Sequence, residues 1–119
     1  MLTSDFKDLR IWKQSMDIVS DIYMLLDNLP NFERYALADQ IRRSSVSVPS
    51  NIAEGQRRNS NKDFIRFLSI SRGSLAELET QLLLCIRLSY LEESSVRDIL
   101  IRMKAVDKMI VSLIMSLGR

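Results

Sequence analysis

Apolar residues recur at steps of three and four along most of the chain, the spacing of one face of an α-helix. Between residues 6 and 28, Leu9, Trp12, Met16, Val19, Ile22, Tyr23 and Leu26 fall on one face. Ile11, Ile18 and Leu25 form a second stripe beside it. An apolar surface that wide predicts burial against more than one neighbour, either two helices of the same chain or a second subunit. Trp12 reads as a core or interface anchor. Asn28-Leu29-Pro30-Asn31 ends the helix, because asparagine tolerates left-handed backbone and proline cannot continue the hydrogen-bond ladder.

A second helix is predicted over residues 33–56, with Leu37, Ile41, Ser44, Ser45, Val48 and Ile52 inward. It holds the one stretch that plain helix rules do not explain, from Gln40 to Gly55. Two arginines, Arg42 and Arg43, precede a serine cluster, and Pro49 stands inside the helical pattern. Pro49 cannot bond to the carbonyl of Ser45, a cost of roughly 3 kcal/mol in a helix interior, so a kink is expected. The alternative is a helix that ends near Ser47 and restarts with Pro49 in its first turn. Ile41, Val48 and Ile52 keep phase across the proline, which favours the kinked continuous helix. Gly55 stands near the end, where left-handed backbone is usual.

A third helix is predicted over residues 61–89, with Phe64, Phe67, Leu68, Leu75, Leu78, Leu82 and Cys85 on its stripe and Ser60 as its cap. Gly73 in mid-helix costs about 1 kcal/mol relative to alanine and predicts a close helix–helix approach. The patch Gly73-Ser74 is expected to face Ser44, Ser45 and Ser47. A fourth helix over residues 95–117, capped by Ser95, carries the seam Val96, Ile99, Met103, Val106, Ile110, Leu113 and Leu117. Four long helices with short connections imply an all-α, antiparallel up-down-up-down four-helix bundle with a Pro-kinked second helix, one domain over residues 1–119.

Composition supports this reading. Three glycines and two prolines in 119 residues leave few turns for a many-stranded fold. With no histidine and one cysteine, a Ser-His or Cys-His pair, an internal disulfide and a four-ligand Cys/His zinc site within one chain are excluded. No cofactor is implied. A carboxylate-only metal site from Glu54, Glu77 and Glu79 is the one residual enzymatic option. No apolar run approaches the roughly 20 residues of a membrane span, and the N-terminus has no signal-peptide core, so no membrane partner and a cytoplasmic location are expected.

Net charge is +2 but uneven. Residues 34–72 carry eight basic and three acidic side chains, whereas residues 1–33 carry three and six. The basic candidates for nucleic-acid contact are Arg42, Arg43, Arg57, Arg58, Lys62, Arg66 and Arg72. The candidates for assembly are Pro49, Asn51, Glu54, Gly55, Gly73, Ser74 and Glu77.

Gln40-Ile41-Arg42-Arg43-Ser44-Ser45-Val46-Ser47-Val48-Pro49-Ser50-Asn51-Ile52-Ala53-Glu54-Gly55, followed by Gly73-Ser74-Leu75-Ala76-Glu77-Leu78-Glu79, resembles a bacterial family. It is the four-helix-bundle family that includes proteins encoded in intervening sequences of large-subunit (23S) ribosomal RNA genes. Phe6, Leu9 and Trp12 extend the likeness over nearly the whole chain. The chain departs at Ala36-Leu37-Ala38, where the family usually has Gly-Leu-Thr, and so lacks a capping hydroxyl at the start of the second helix. The resemblance implies an antiparallel bundle, a homopentameric ring and no established enzymatic activity. A distant likeness to accessory proteins of diversity-generating retroelements implies possible RNA or DNA binding. Two readings follow: a non-enzymatic homo-oligomeric scaffold, in which Arg42 or Arg43 pairs with Glu54, Glu77 or Glu79, and an oligomer that binds nucleic acid through the basic surface.

Overall fold

The structure is a computed structural model and describes residues 5–119. Its helices are α1 (Arg10–Leu26), α2 (Leu37–Gln56), α3 (Asn61–Arg87) and α4 (Glu93–Leu117), with short 3-10 turns at Phe6–Asp8 and Asn31–Glu33. No strand occurs among the described residues.

The first helix starts later than its apolar spacing suggests. Asp5 accepts a hydrogen bond from the Lys7 amide at 3.1 Å and closes the Phe6–Asp8 turn, and Leu9 is extended before α1 begins. Phe6 folds back edge-on to Trp12, with ring centroids 5.4 Å apart. The buried face of α1 is also rotated from the dominant apolar stripe. It consists of Ile11, Ser15, Ile18, Ile22 and Leu26. Ser15 is tolerated inside because its hydroxyl donates to the Ile11 carbonyl at 2.6 Å. The rotation leaves Met16 and Tyr23 more than 40% exposed and Met24 72% exposed.

The second helix begins at Leu37, four residues after the predicted start, and no side chain of Ala36 caps it. A carboxylate from the preceding turn stands in for the missing hydroxyl. Glu33 Oε1 accepts from the Leu37 amide at 3.3 Å, and Glu33 Oε2 accepts from the Tyr90 hydroxyl at 2.9 Å. The same group therefore ties the start of α2 to the connection before α4. The helix runs without interruption through Pro49, so the break and restart near Ser47 do not occur. Gly55 lies within it, and no glycine among the described residues has positive φ.

Ser60 caps α3 as expected, accepting from the Asp63 amide at 3.1 Å. The helix ends two residues earlier than predicted. Ser89 takes left-handed backbone at φ 63°, and the Tyr90 amide reaches back to the Cys85 carbonyl at 2.9 Å. Left-handed backbone costs a residue with a Cβ roughly 1 kcal/mol. Ser89→Gly is therefore expected to stabilise the fold by about 0.5–1 kcal/mol, read as a higher urea midpoint with unchanged slope. The fourth helix starts at Glu93, with Glu92 rather than Ser95 at the cap position. Asp98 bonds Arg102 one turn on at 2.9 Å, and Arg102 also reaches Asp21 of α1.

Hydrogen bonds set the helix directions. Ser44 meets Gln81, Ser47 meets Ser74, and the Val48 carbonyl meets Ser71, so α2 and α3 are antiparallel. Asn61 bonds the Leu117 carbonyl and Arg72 bonds Asp107, which sets α3 and α4 antiparallel as well. Ile22, Ile41, Ile52, Leu68, Leu78, Leu82, Val106 and Ile110 have no exposed surface and form the centre of the core.

Candidate functional site

The Gln40–Gly55 stretch is a packing device first. Small side chains let α2 approach α3, and each buried hydroxyl there has a partner. Ser44 Oγ lies 2.6 Å from Gln81 Oε1 and 3.2 Å from the Ile41 carbonyl. Having a single hydrogen, it donates to the nearer oxygen. Ser47 Oγ is 2.8 Å from Ser74 Oγ. Asn51 Nδ2 donates to the Ser47 carbonyl at 2.8 Å and to Ser47 Oγ at 2.9 Å. Ser71 Oγ donates to the Val48 carbonyl at 2.9 Å, one residue before Pro49. The hydroxyls of Ser45 and Ser47 are engaged with the Arg42 carbonyl and with Ser74, so neither serves the Ser45 carbonyl that Pro49 leaves free. Among the described residues, no buried side-chain nitrogen or oxygen lacks a partner.

Neither candidate glycine has the role expected of it. A Cβ on Gly55 would sit 2.7 Å from Phe67 Cβ and 2.9 Å from Phe64 Cδ1. A Cβ on Gly73 would meet nothing within 4 Å. The close approach of α2 and α3 is at Gly55, and Gly73 lies on the open surface beside Ser74.

The basic candidates do not form one patch. Arg42 lies in the second turn of α2, about 21 Å along the axis from the helix end at Gln56, and Arg57 and Arg58 follow beyond that end. Arg43 Nε bonds Asp39 at 3.1 Å, and Arg42 lies 3.9 Å from the same carboxylate. Within the chain, then, the partner of both is Asp39, not Glu54, Glu77 or Glu79. Arg72 is held by Asp107 of α4 at 2.8 Å, which raises its pKa through the hydrogen bond and the charge. Arg57, Arg58, Lys62 and Arg66 do gather, at the α2–α3 hairpin. Arg58 bonds Glu54 at 2.8 Å, and the guanidinium groups of Arg58 and Arg66 lie 4.8 and 4.5 Å from the Phe67 ring centre. Arg57 pairs with Asp5 at 3.5 Å and covers Phe6.

These contacts bring residues 5–13, 54–66 and 117–119 to one end of the bundle. That end holds eight basic and four acidic side chains, net +4, and the rest of the chain nets −2. Only half of the central basic residues join this end-cap: Arg57, Arg58, Lys62 and Arg66 do, with Lys7, Arg10, Lys13 and Arg119, whereas Arg34, Arg42, Arg43 and Arg72 lie elsewhere.

Glu77 and Glu79 are exposed on α3. Among the described residues, no group of three or more His, Cys, Asp or Glu side chains could hold a metal ion. Two concavities stand out. A groove of about 510 Å³ between α3 and α4 is lined by Leu75, Leu100, Ile101 and Met103, with Arg97 and Lys104 beside them. A smaller hollow of about 320 Å³ lies where α1 ends and α2 begins. Among the described residues, no helix is long and apolar enough to cross a membrane.

With this geometry in place, comparison with known proteins assigns the chain to a family. The sequence profile of the 23S rRNA-intervening sequence protein matches residues 7–112. The chain belongs to the 23S rRNA-intervening sequence protein family. A solved structure from Bacteroides thetaiotaomicron, a protein of unknown function from the S23 ribosomal protein family, is similar at 28% identity. That likeness covers 87% of this chain and 97% of the other, with a TM-score of 0.80. A comparison with curated proteins finds no match.

The matched span of this intervening sequence protein contains the whole α2–α3 hydrogen-bond ladder. Sequence reasoning missed two of its parts, Gln81 and Ser71, and outside the ladder the capping Glu33. Gln81 carried a signal, because it interrupts the apolar stripe of Leu78, Leu82 and Cys85 with an amide at core phase. Cys85 itself is fully buried, and burial first, with the Glu33 charge second, pushes its thiol up to about 11. The Tyr90 hydroxyl is also raised, chiefly by its bond to Glu33. Both groups bind their protons more tightly when folded, so their ionisation opposes the fold. Stability is expected to fall as pH rises from 9, the ordinary thiol value, to about 11. The check is a series of urea melts over that range. Cys85→Ala should flatten part of the slope.

Proposed function

We propose that this intervening sequence protein acts as a non-enzymatic, self-associating scaffold in the cytoplasm. The observation that carries this reading is the outer face of α1. Met16, Tyr23 and Met24 are exposed although they continue the apolar pattern of the helix. Apolar side chains clustered on an otherwise ordinary surface mark an interaction site, whereas scattered ones do not. α3 adds Ile70 and Leu84 on its exposed side, with Gly73 and Glu77 between them, and Leu88 follows at its C-cap. A second copy would cover these faces, and Glu77 would supply a charge to fix register. A ring of such copies is the arrangement that the family resemblance suggests.

Light scattering on purified protein tests this. The expected result is a mass several times 13.8 kDa. Met16→Glu with Tyr23→Glu should reduce it to that of one chain. Glu77→Lys should do the same where α3 shares the interface. A wild-type protein that stays monomeric at about 100 μM, a concentration that populates even micromolar complexes, would sink the reading.

The basic end of the bundle favours a second reading, contact with RNA or DNA. Self-association would repeat a net +4 cap in every subunit and sum a modest field into a useful one. A gel shift with structured RNA should show binding that weakens steeply with salt, because phosphate contacts release counterions. Absence of a shift at low salt removes this reading.

A further inference from the structure

The hollow between the end of α1 and the start of α2 is lined by four polar and four apolar residues, the latter Leu26, Leu29, Pro30 and Ala38. Asp27, Asn31, Arg34 and Arg42 contribute to it, and buried Ala38 forms part of the wall. Its volume is about 320 Å³, within the range of small-ligand sites.

The guanidinium groups here have few partners. Arg42 has five N–H donors. One of its nitrogens, Nη1, donates to the Arg34 carbonyl at 3.3 Å and lies 3.9 Å from Asp39. The closer bond to Asp39, at 3.1 Å, belongs to Arg43. Arg34 has no carboxylate partner among the described residues; its guanidinium lies 5.5 Å from the centre of the Tyr35 ring. One carboxylate, Asp39, therefore serves Arg42 and Arg43, and Arg34 is unpaired. Two arginines border one hollow. The lining carboxylate that opposes them, Asp27, bonds to neither. Arg42 is half-buried and Arg34 exposed at the rim of the same hollow, and a planar guanidinium fork matches tetrahedral oxyanions bidentately.

We propose that this hollow is a phosphate-binding site. Arg42 supplies the fork, Arg34 supplies a second cation at the rim, and Asn31 offers an amide donor. The volume exceeds that of a phosphate group, so an attached sugar would also fit. The shared chemistry is a phosphomonoester, whether on a free nucleotide or at the end of a nucleic-acid strand. The site is independent of self-association and lies away from the basic end formed by Arg57, Arg58, Lys62 and Arg66.

Isothermal titration of the full-length protein at constant ionic strength tests this. The titrants are inorganic phosphate, a nucleoside monophosphate, a 5′-phosphorylated RNA oligonucleotide and its 5′-hydroxyl counterpart. Saturable binding of phosphate compounds with a dissociation constant of about 1 mM or tighter is expected. Arg42→Gln should weaken it about tenfold or more, the loss of one charge-assisted pair. Because Arg42 also braces the Arg34 backbone, two exposed positions provide the decisive contrast. Arg34→Gln should weaken binding severalfold, and Asp27→Asn should tighten it severalfold. Preference for 5′-phosphorylated over 5′-hydroxyl RNA assigns the site to strand ends. Equal binding of nucleotide and inorganic phosphate, with no advantage for RNA, assigns it to small phosphate compounds. No saturation by any phosphate compound, or unchanged binding in both Arg34→Gln and Asp27→Asn, overturns the proposal.

Discussion

Gly55→Ala is expected to destabilise the protein by about 1–3 kcal/mol, the usual cost of overpacking a close contact. Helix propensity alone predicts the opposite, since alanine is better than glycine by about 1 kcal/mol in a helix interior. The decision lies with two atoms. The new methyl would stand 2.7 Å from Phe67 Cβ and 2.9 Å from Phe64 Cδ1. The Phe64 ring can turn aside, but a Cβ moves only with its backbone, so α3 must shift away from α2. That shift would also stretch the hydrogen bonds from Ser47 to Ser74 and from Ser71 to Val48. Gly73→Ala supplies the control. Nothing lies within 4 Å of its added methyl, so it should gain stability by up to about 1 kcal/mol. Urea unfolding of both variants gives the comparison. Equal effects at the two positions would contradict the close approach at Gly55.

Ser44→Ala is expected to cost about 1–3 kcal/mol, the penalty of leaving a buried acceptor without a donor. Ser44 and Gln81 are both buried, and the serine hydroxyl lies 2.6 Å from the amide oxygen. Removing the hydroxyl strands the Gln81 oxygen between two helices. Gln81→Met should cost less, because its volume is similar and the Ser44 hydroxyl can turn to the Ile41 carbonyl at 3.2 Å. The double variant should recover most of the loss. A double-mutant cycle measures this coupling, and an interaction energy near zero would show that the bond contributes nothing.

The helical segments were legible because apolar spacing repeats across each of them. Of the seam read for α4, Val96, Ile99, Met103, Val106 and Ile110 are buried, and Leu113 and Leu117 in its last turns are half-buried. Helix ends were less legible, because the groups that cap them are not nearest neighbours in the pattern. Glu33 caps α2 from the previous turn, and Ser89 ends α3 with left-handed backbone that serine seldom adopts. On α1 the wide apolar surface was visible, but not which part faces the core. Ser15 reads as polar, yet its hydroxyl is satisfied by the Ile11 carbonyl and it sits inside, while Met16 and Tyr23 lie outside.

By itself the sequence determined that this is an all-α chain of four helices and that imidazole and paired-thiol chemistry are absent, and it favoured a helix continuous through Pro49, which the structure shows. These follow from composition and from local periodicity, which act over one or two turns. Only the tertiary structure decided which glycine is pressed against a neighbour, which carboxylate Arg42 and Arg43 share, and where the positive charge collects. Those outcomes depend on residues far apart in the chain. Gly55 meets Phe67 of the next helix, Arg57 meets Asp5, and Asn61 meets Leu117. Charge and steric contact act through space, so a linear pattern can name the participants but not pair them.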